Sequence, residues 1–549
     1  MSFIDQEQNF FGRTPILNLL KRRVIDLKEG YRQNVALLGN KCVGKSAILQ
    51  KFISDLDDPD VTTIYLDLQN KEFNYFFSKF VGSLLYYFSK SKNLPLYDDL
   101  NLFLESTKKF IPQTIEVIKR IQMDINGGKP LDAFHGLLIL PEIYTNETGK
   151  FCILILDEFH DLEEFVSPTA FQDLGKKIMT QKRCFYIFSS SYPGLAKKIL
   201  SEKLSLLFGN FEVVMVDAFD LQTSQEFIDH NLKGIKLGTQ LRNFLTDFTG
   251  GHPLYLNLIC QELFNLSAVH KQSEIYMPLL SQAVENTIFS RWGVIGRHFE
   301  LVINELCGGK GNRLTASVLI ALSNGKHKMD ELCEEICEEL GVKKNLLKQR
   351  MNHLLELGVV AKNNSAYYFN DKLFKYWIKY VYQKRLKDVE FLPDKLRKQF
   401  KEEFHQGVEN FQAVSRQDFS SRIMELLSCF DNEAFDLNGR KYKLPLFQEI
   451  VPLRIKNKEG LQVDVIKAMS SDAVWFIVPK RDSFGENDVN AVLSEVKKTG
   501  EKPDRFLIIS LTDLDENTRL KALQERFWIW NEGELNTLLT LFDKPFILR

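Results

Sequence analysis

The sequence predicts an α/β protein whose first half is a parallel sheet carrying a phosphate-binding loop. Three observations predict it. Residues 39–46 read Gly39-Asn40-Lys41-Cys42-Val43-Gly44-Lys45-Ser46, which fits G-x-x-x-x-G-K-[ST] without a mismatch. A short apolar run, Asn34-Val-Ala-Leu-Leu, precedes the loop, and Ala47-Ile-Leu-Gln-Lys-Phe-Ile follows it with helical spacing. A buried parallel strand that feeds a helix through glycines is the context in which such a loop binds phosphate. Far along the chain, Phe151-Cys-Ile-Leu-Ile-Leu-Asp157-Glu158 is an apolar run that ends in two carboxylates.

Each part of this pattern has a physical reason. Gly39 and Gly44 let the backbone curl so that its N–H groups converge on phosphate oxygens. The start of the following helix adds partial positive charge. Asn40, Lys41, Cys42 and Val43 line the loop, Lys45 reaches the β- and γ-phosphates, and Ser46 binds Mg²⁺. A buried strand delivers Asp157 to the sheet edge, where it can hold Mg²⁺ through water. Glu158, one residue on, can orient and deprotonate the attacking water. The expected site is therefore one for a nucleoside triphosphate and Mg²⁺.

Further strands are expected at 62–67, 184–189 and 212–216, alternating with helices as a parallel α/β domain requires. The chain has 549 residues, enough for several domains. The expected division is an α/β core over 1–220, a purely helical lid over 221–290, a small helical unit with a hairpin over 291–385, a charged helical connector over 386–434, and a mixed α/β domain over 435–549. A hydrophobic content of 44% and a charged content of 26% are those of a globular protein. No apolar run approaches the ~18 residues that would span a membrane. The first residues lack a basic-then-apolar signal, and the eight cysteines are scattered, so a reducing cytoplasm is expected. The net charge of −1 makes any nucleic-acid contact local.

The first half resembles the prokaryotic, archaeal-type ATPases of the AAA+/STAND group. The resemblance is carried by Phe11-Gly12-Arg13, the loop, Ile155-Leu-Asp157-Glu158-Phe159, and Thr249-Gly250-Gly251-His252-Pro253. It implies ATP as the nucleotide, Gly12 and Arg13 packed near the adenine, and Pro253 in a lid turn that couples to nucleotide state. It also implies a polar sensor at the end of the strand Cys184-Phe-Tyr-Ile-Phe-Ser189, for which Ser190 is the candidate. Many relatives carry an arginine where this chain has Asn210, after Leu206-Leu207-Phe208-Gly209, and no arginine stands between Arg183 and Arg242. An arginine supplied to the γ-phosphate contributes about 10³–10⁵ in rate, so its absence implies slow turnover. Lys197, Lys198 and Lys203 are partial substitutes that cannot form the bidentate fork.

Residues 315–325, 329–340 and 342–357 read as three helices, and 359–362 with 366–369 as a hairpin, the order of a winged helix-turn-helix. Leu346, Leu347, Met351, Leu354 and Leu355 form the expected apolar face of the third helix. Residues 301–400 carry 18 Lys/Arg against 12 Asp/Glu. Lys343, Lys344, Lys348 and Arg350 could therefore face double-stranded DNA, although the second helix is acidic enough to leave a protein partner or self-association open. The last region resembles degenerate restriction-endonuclease-like domains. Asp464 matches the metal-binding aspartate, and Lys480 ends a strand in which Val478 stands at the second acidic position. Mg²⁺ nucleases need both carboxylates, so a non-cutting module is expected. The readings that follow are a slow ATPase acting as a nucleotide-dependent switch, an ATP-gated nuclease of a defence system, or a nucleotide-binding scaffold without turnover.

Overall fold

In the computed structural model, the described residues are 10–546 apart from 70, 205–208, 309–311, 388–392, 438–439, 457–459, 461, 482–483, 500–501 and 513. The chain forms two compact units, one of residues 1–219 with 252–254 and 352–359, the other of the remainder.

The first unit is built on five strands: β1 (Asn34–Leu38), β2 (Val61–Asp67), β3 (Phe151–Asp157), β4 (Cys184–Ser190) and β5 (Phe211–Met215). All pairs are parallel and the order is β2-β3-β4-β1-β5. This is the P-loop nucleoside-triphosphatase architecture, with the loop strand β1 flanked on both sides. Side chains alternate between two apolar layers because a strand has a period of two. Val35, Leu37, Ile153, Ile155, Phe185 and Ile187 pack with Leu20 and Val24 of helix Thr14–Lys28 and with Ile48, Leu49 and Phe52 of helix Lys45–Asp55. Ala36, Leu38, Leu154, Leu156, Tyr186 and Phe188 face the opposite layer. Helices cover both faces, so these strands read as unbroken apolar runs. Each fully buried large aliphatic side chain contributes roughly 1.5–3 kcal/mol.

Simple strand–helix alternation is not what the structure has between β2 and β3. Helices Phe73–Ser91, Leu100–Thr107, Pro112–Asn126 and Pro130–Thr148 follow one another there, and they stack Phe76, Phe80, Leu84, Ile115, Ile118, Phe134 and Leu137 onto one face of the sheet.

The second unit begins with helices Leu221–Leu232 and Thr239–Thr249, continues through most of Pro253–His270, and includes Met277–Val284. The stretch expected to be purely helical also holds a two-stranded parallel pair, β6 (Lys236–Leu237) with β7 (Glu274–Ile275). Strands of two residues are too short to register as a period. Helices Val294–Cys307, Asn312–Ser323, Met329–Leu340 and Lys344–Glu356 come next, then the antiparallel hairpin β8 (Val360–Asn363) and β9 (Ala366–Phe369). On helix Lys344–Glu356, Leu347 and Met351 are buried while Leu346 is 47% exposed, so Leu346 is not part of the apolar face. Helix Pro393–Ser415 buries Phe400, Phe404, Val408 and Phe411 along one side, where Phe404 and Phe411 meet Phe244 edge-on.

The chain ends in a second sheet. After the hairpin β10 (Ala434–Leu437) and β11 (Arg440–Lys443) come β12 (Glu449–Lys456), β13 (Gln462–Met469), β14 (Val474–Lys480), β15 (Arg505–Ser510) and β16 (Phe527–Trp530), in spatial order β12-β13-β14-β15-β16. The first three of these five are antiparallel and the last three parallel. Helices Phe419–Leu427 and Glu532–Leu541 cover one face, and Glu486–Thr499 and Glu516–Gln524 the other. Among the described residues no helix is long and apolar enough to cross a membrane.

Candidate functional site

The loop that leaves β1 is shaped by its glycines. A Cβ on Gly39 would lie 2.2 Å from the Val216 carbonyl oxygen, so only glycine fits there. Gly44 has φ +103°, in the left-handed region, and a Cβ there would meet no atom within 4 Å. Cys42 is also left-handed, at φ 61°, and it is exposed. Helix Lys45–Asp55 starts directly after Gly44 with no side-chain cap and no acidic residue in its first turn. Its first N–H groups and its dipole therefore favour an anion.

Lys45 is 4% exposed. Its ammonium donates to the carbonyls of Gly39 at 2.9 Å and Asn40 at 2.8 Å, and to the Ser191 hydroxyl at 2.9 Å, which uses all its protons. Burial pulls its pKa down, opposed by the nearby Glu158 and Asp157. Ser46, beside it on the first helical turn, is half-buried.

β3 carries the acidic pair to the same edge. Asp157 stands opposite Asp67 of β2. One of its oxygens accepts the Tyr65 hydroxyl at 2.8 Å, and the other accepts the Glu158 N–H at 3.2 Å. Burial, followed by Asp157, raises the Tyr65 pKa, so this phenol stays a donor. Glu158 takes φ 53° and is 6% exposed. A left-handed non-glycine residue at a strand end costs roughly 1–2 kcal/mol. Here its neighbours hold it in place: the Ser191 N–H donates to Oε2 at 2.7 Å, and the Ser191 hydroxyl donates to Oε1. Burial pushes the Glu158 carboxyl up, opposed by the hydrogen bond from Ser191 and the charge of Lys45.

Ser191 thus bridges the buried lysine and the buried glutamate. The sensor candidate Ser190 lies one residue short of that bridge: its hydroxyl meets His160 Nδ1 at 3.0 Å instead. His160 Nδ1 also lies 3.5 Å from Glu158 Oε2. Burial lowers the His160 pKa to about 4, so at neutral pH this contact joins a carboxylate to a neutral ring rather than to a cation. Sequence reading missed Ser191 and His160. The run Ser189-Ser190-Ser191 signals a polar strand end, but only the point where β4 stops decides which hydroxyl turns inward.

Two consequences are measurable. Ser191→Ala removes a hydrogen bond that holds the Glu158 pKa down. If Glu158 must be ionised to act, losing that hydrogen bond moves the acid limb of the pH–rate profile to higher pH. His160 has a folded pKa of about 4 against an ordinary 6.5, so it contributes stability above pH 6.5 that is lost as pH falls through 4. The loss between pH 8 and pH 5 is about 2 kcal/mol by linkage. His160→Gln is expected to flatten urea-unfolding stability over that window.

Gly12 and Arg13 are both left-handed, with φ 66° and 63°. The Arg13 guanidinium donates to the Val43 carbonyl at 3.3 Å and to the Asp217 carbonyl, and lies 4.8 Å from the Phe219 ring centre. It ties the start of helix Thr14–Lys28 to the back of the loop. Pro253 opens helix Pro253–His270, but the residue that reaches the loop is His252, whose Nε2 meets the Lys41 carbonyl at 3.1 Å. The Asn210 carbonyl accepts the Asn34 N–H at 3.0 Å. The preceding Leu206, Leu207 and Phe208 lie outside the described residues. Of the substitute lysines, Lys198 pairs with Glu356 at 3.0 Å and Lys203 pairs with Glu163.

The arrangement could hold a phosphate chain against Lys45 and the helix start. Among the described residues no cluster of three or more His, Cys, Asp or Glu could hold a metal by itself. Mg²⁺ is bound through one or two protein oxygens, water and phosphate. Ser46 and Asp157 are the oxygens at hand.

The other candidate residues do not converge on this site. Lys343, Lys344 and Lys348 are exposed and Arg350 is half-buried. Lys344 is paired with Asp330 of the preceding acidic helix at 2.6 Å. In the last sheet, Asp464 shares the face of Ile466 and Ala468, and accepts from Ser420 at 3.4 Å. Lys480 follows Phe476 and Val478 onto the opposite face and pairs with Asp488 at 3.3 Å. The sheet separates them, so these two do not form a nuclease site.

No family model matches the chain, and no curated protein matches it. Among solved structures it is similar to the Walker-type ATPase PABY2304 of Pyrococcus abyssi, with 16% identity, 68% of this chain and 96% of that one covered, and a TM-score of 0.47. It is also similar to the ORC2 protein of Aeropyrum pernix in its ADPNP–ADP complexes, at 12% identity over 74% of this chain and 98% of that one, TM-score 0.42. A third likeness is to the RuvB Holliday junction branch migration motor of Thermotoga maritima, at 13% identity over 67% and 96% of the two chains, TM-score 0.35. Each of these likenesses is loose.

Proposed function

We infer that the chain binds ATP with Mg²⁺ at residues 39–46 and hydrolyses it slowly, and that it acts as a nucleotide-dependent switch. The observation that carries this reading is the bridge from Lys45 through Ser191 to Glu158 beneath an uncapped helix start. Lys45 and the loop N–H groups bind and orient the phosphates. Ser46 and Asp157 would hold Mg²⁺, which when bound would neutralise phosphate charge. Glu158 takes the proton of the attacking water. Ser191 donates one hydrogen bond to each of its oxygens, which orients the carboxylate and leaves acceptor capacity for the water. The absence of an arginine at Asn210 slows turnover. His252, seated on the Lys41 carbonyl, supports Gly251-His252-Pro253 as the point where loop occupancy reaches the lid segment 221–290.

The switch acts on DNA or a protein partner through residues 291–385, which we read as a winged helix. Exposed Lys343 and Lys348 support the DNA reading, while the Lys344–Asp330 pair weakens it. Fluorescence anisotropy of a labelled duplex, with and without ATP, tests it. ATP-dependent binding that Lys343→Glu/Lys348→Glu abolishes supports DNA. Absence of binding in every nucleotide state overturns it and directs the search to a protein partner or a second copy of the chain.

A further inference from the structure

The second unit contains a pocket of about 270 Å³ that none of the readings above uses. It opens where β15 and β16 end, and its polar lining is Arg440, Arg519, Ser510, Thr512, Asn531 and Glu534. The carboxyl edge of parallel strands is where open α/β sheets bind their ligands, because the chain turns away there and leaves a crevice. Asp464 and Lys480 belong to β13 and β14, so this is a different place in the sheet.

The lining is cationic in effect. No ion pair engages the Arg440 or Arg519 guanidinium among the described residues. The carboxylate of the lining, Glu534, is tied into the fold: its Oε2 accepts the Asn531 N–H at 2.9 Å to close a capping box. Ser510, 1% exposed, donates to the Thr512 carbonyl at 2.7 Å, which fixes the turn after β15. Apolar wall comes from Leu437, Leu514, Ile529 and the Tyr442 ring. Two guanidiniums and an apolar surface in one lining match a phosphate joined to a flat, weakly polar body. The volume lies just below the roughly 300–1,000 Å³ of drug-sized ligand clefts, which restricts the occupant to a single nucleotide unit.

We propose that this pocket binds a 5′-phosphorylated nucleoside, with Arg440 and Arg519 on the phosphate and Tyr442 against the base or sugar. The nucleotide is either free or the terminal residue of a nucleic-acid strand. The recognition is independent of the loop at 39–46.

Hydrogen exchange on the full chain tests this, because it reports the two places separately. Uridine 5′-monophosphate and a 5′-phosphorylated tetranucleotide are the probes, with uridine and the 5′-hydroxyl tetranucleotide as controls. The expected result is slowed exchange in peptides over 437–442 and 510–519 with the phosphorylated probes, and a loss of at least about tenfold in apparent affinity in Arg440→Ala/Arg519→Ala, as expected for removing charge-assisted hydrogen bonds. Arg519→Lys, which keeps the charge, should retain part of the protection. Stronger protection by the tetranucleotide assigns a strand end, and stronger protection by the mononucleotide assigns a free nucleotide. Unchanged exchange in those peptides at millimolar probe overturns the proposal. So does protection that survives in the double variant while the exchange of β12–β14 shows it folded. Peptides over 39–46 report any binding at the loop and do not enter the comparison.

Discussion

Lys45→Ala is expected to abolish ATP binding and phosphate release together. The ammonium is buried and all its protons are directed at loop and strand-end oxygens. A phosphate chain competes for that ammonium with neutral carbonyls, and a charged acceptor wins. Alanine removes the buried cation of the loop and leaves the carboxylate of Glu158 with less opposing charge. Truncating one partner of a buried, hydrogen-bonded charge pair between lysine and phosphate costs about 2–5 kcal/mol, which is at least about thirtyfold in affinity. Lys45→Arg should fail nearly as completely, because a planar fork does not satisfy the tripod of Gly39, Asn40 and Ser191. Calorimetric titration with a non-hydrolysable ATP analogue checks this, with circular dichroism to show that the variant is folded.

Glu158→Gln is expected to leave ATP affinity within a few-fold of wild type while lowering turnover by about 10²–10⁴, the usual worth of a positioned general base. The carboxamide keeps the shape of the side chain and can still accept the Ser191 N–H. It cannot take a proton. The two variants therefore separate binding from chemistry: one loses both, the other only the second. Single-turnover hydrolysis of pre-bound ATP reports the chemical step in Glu158→Gln apart from product release.

The strands of the first sheet were legible because each is covered on both faces, and so reads as a continuous apolar run between turns. The loop was legible because its chemistry lies within eight consecutive residues, 39–46. The helices inserted between β2 and β3 were not: amphipathic helices that cover one sheet face have the same period as the connecting helices expected there. Ser191 was hidden among identical neighbours, and His160 by lying just beyond a motif that ends at Phe159. Asp464 and Lys480 show the opposite failure. Both stand on strands, as read, but their faces follow from the β13–β14 register, in which Ile466 lies opposite Ile477. Counting outward by twos from that pair puts Asp464 and Lys480 on different sides of the sheet. The pocket around Arg440 and Arg519 draws residues from 437 to 534 with no local motif, so only the fold assembles it.

The central claim is that the Lys45–Ser191–Glu158 bridge marks a site that hydrolyses ATP. Phosphate release from ATP and Mg²⁺ by the full chain, beside Lys45→Ala and Glu158→Gln, tests it most directly. The expected result is slow release by the wild-type chain that clearly exceeds both variants, with ATP still bound by Glu158→Gln. Release by the wild-type chain no greater than by Glu158→Gln, with ATP tightly bound by both, would contradict it and make the chain a nucleotide-held scaffold.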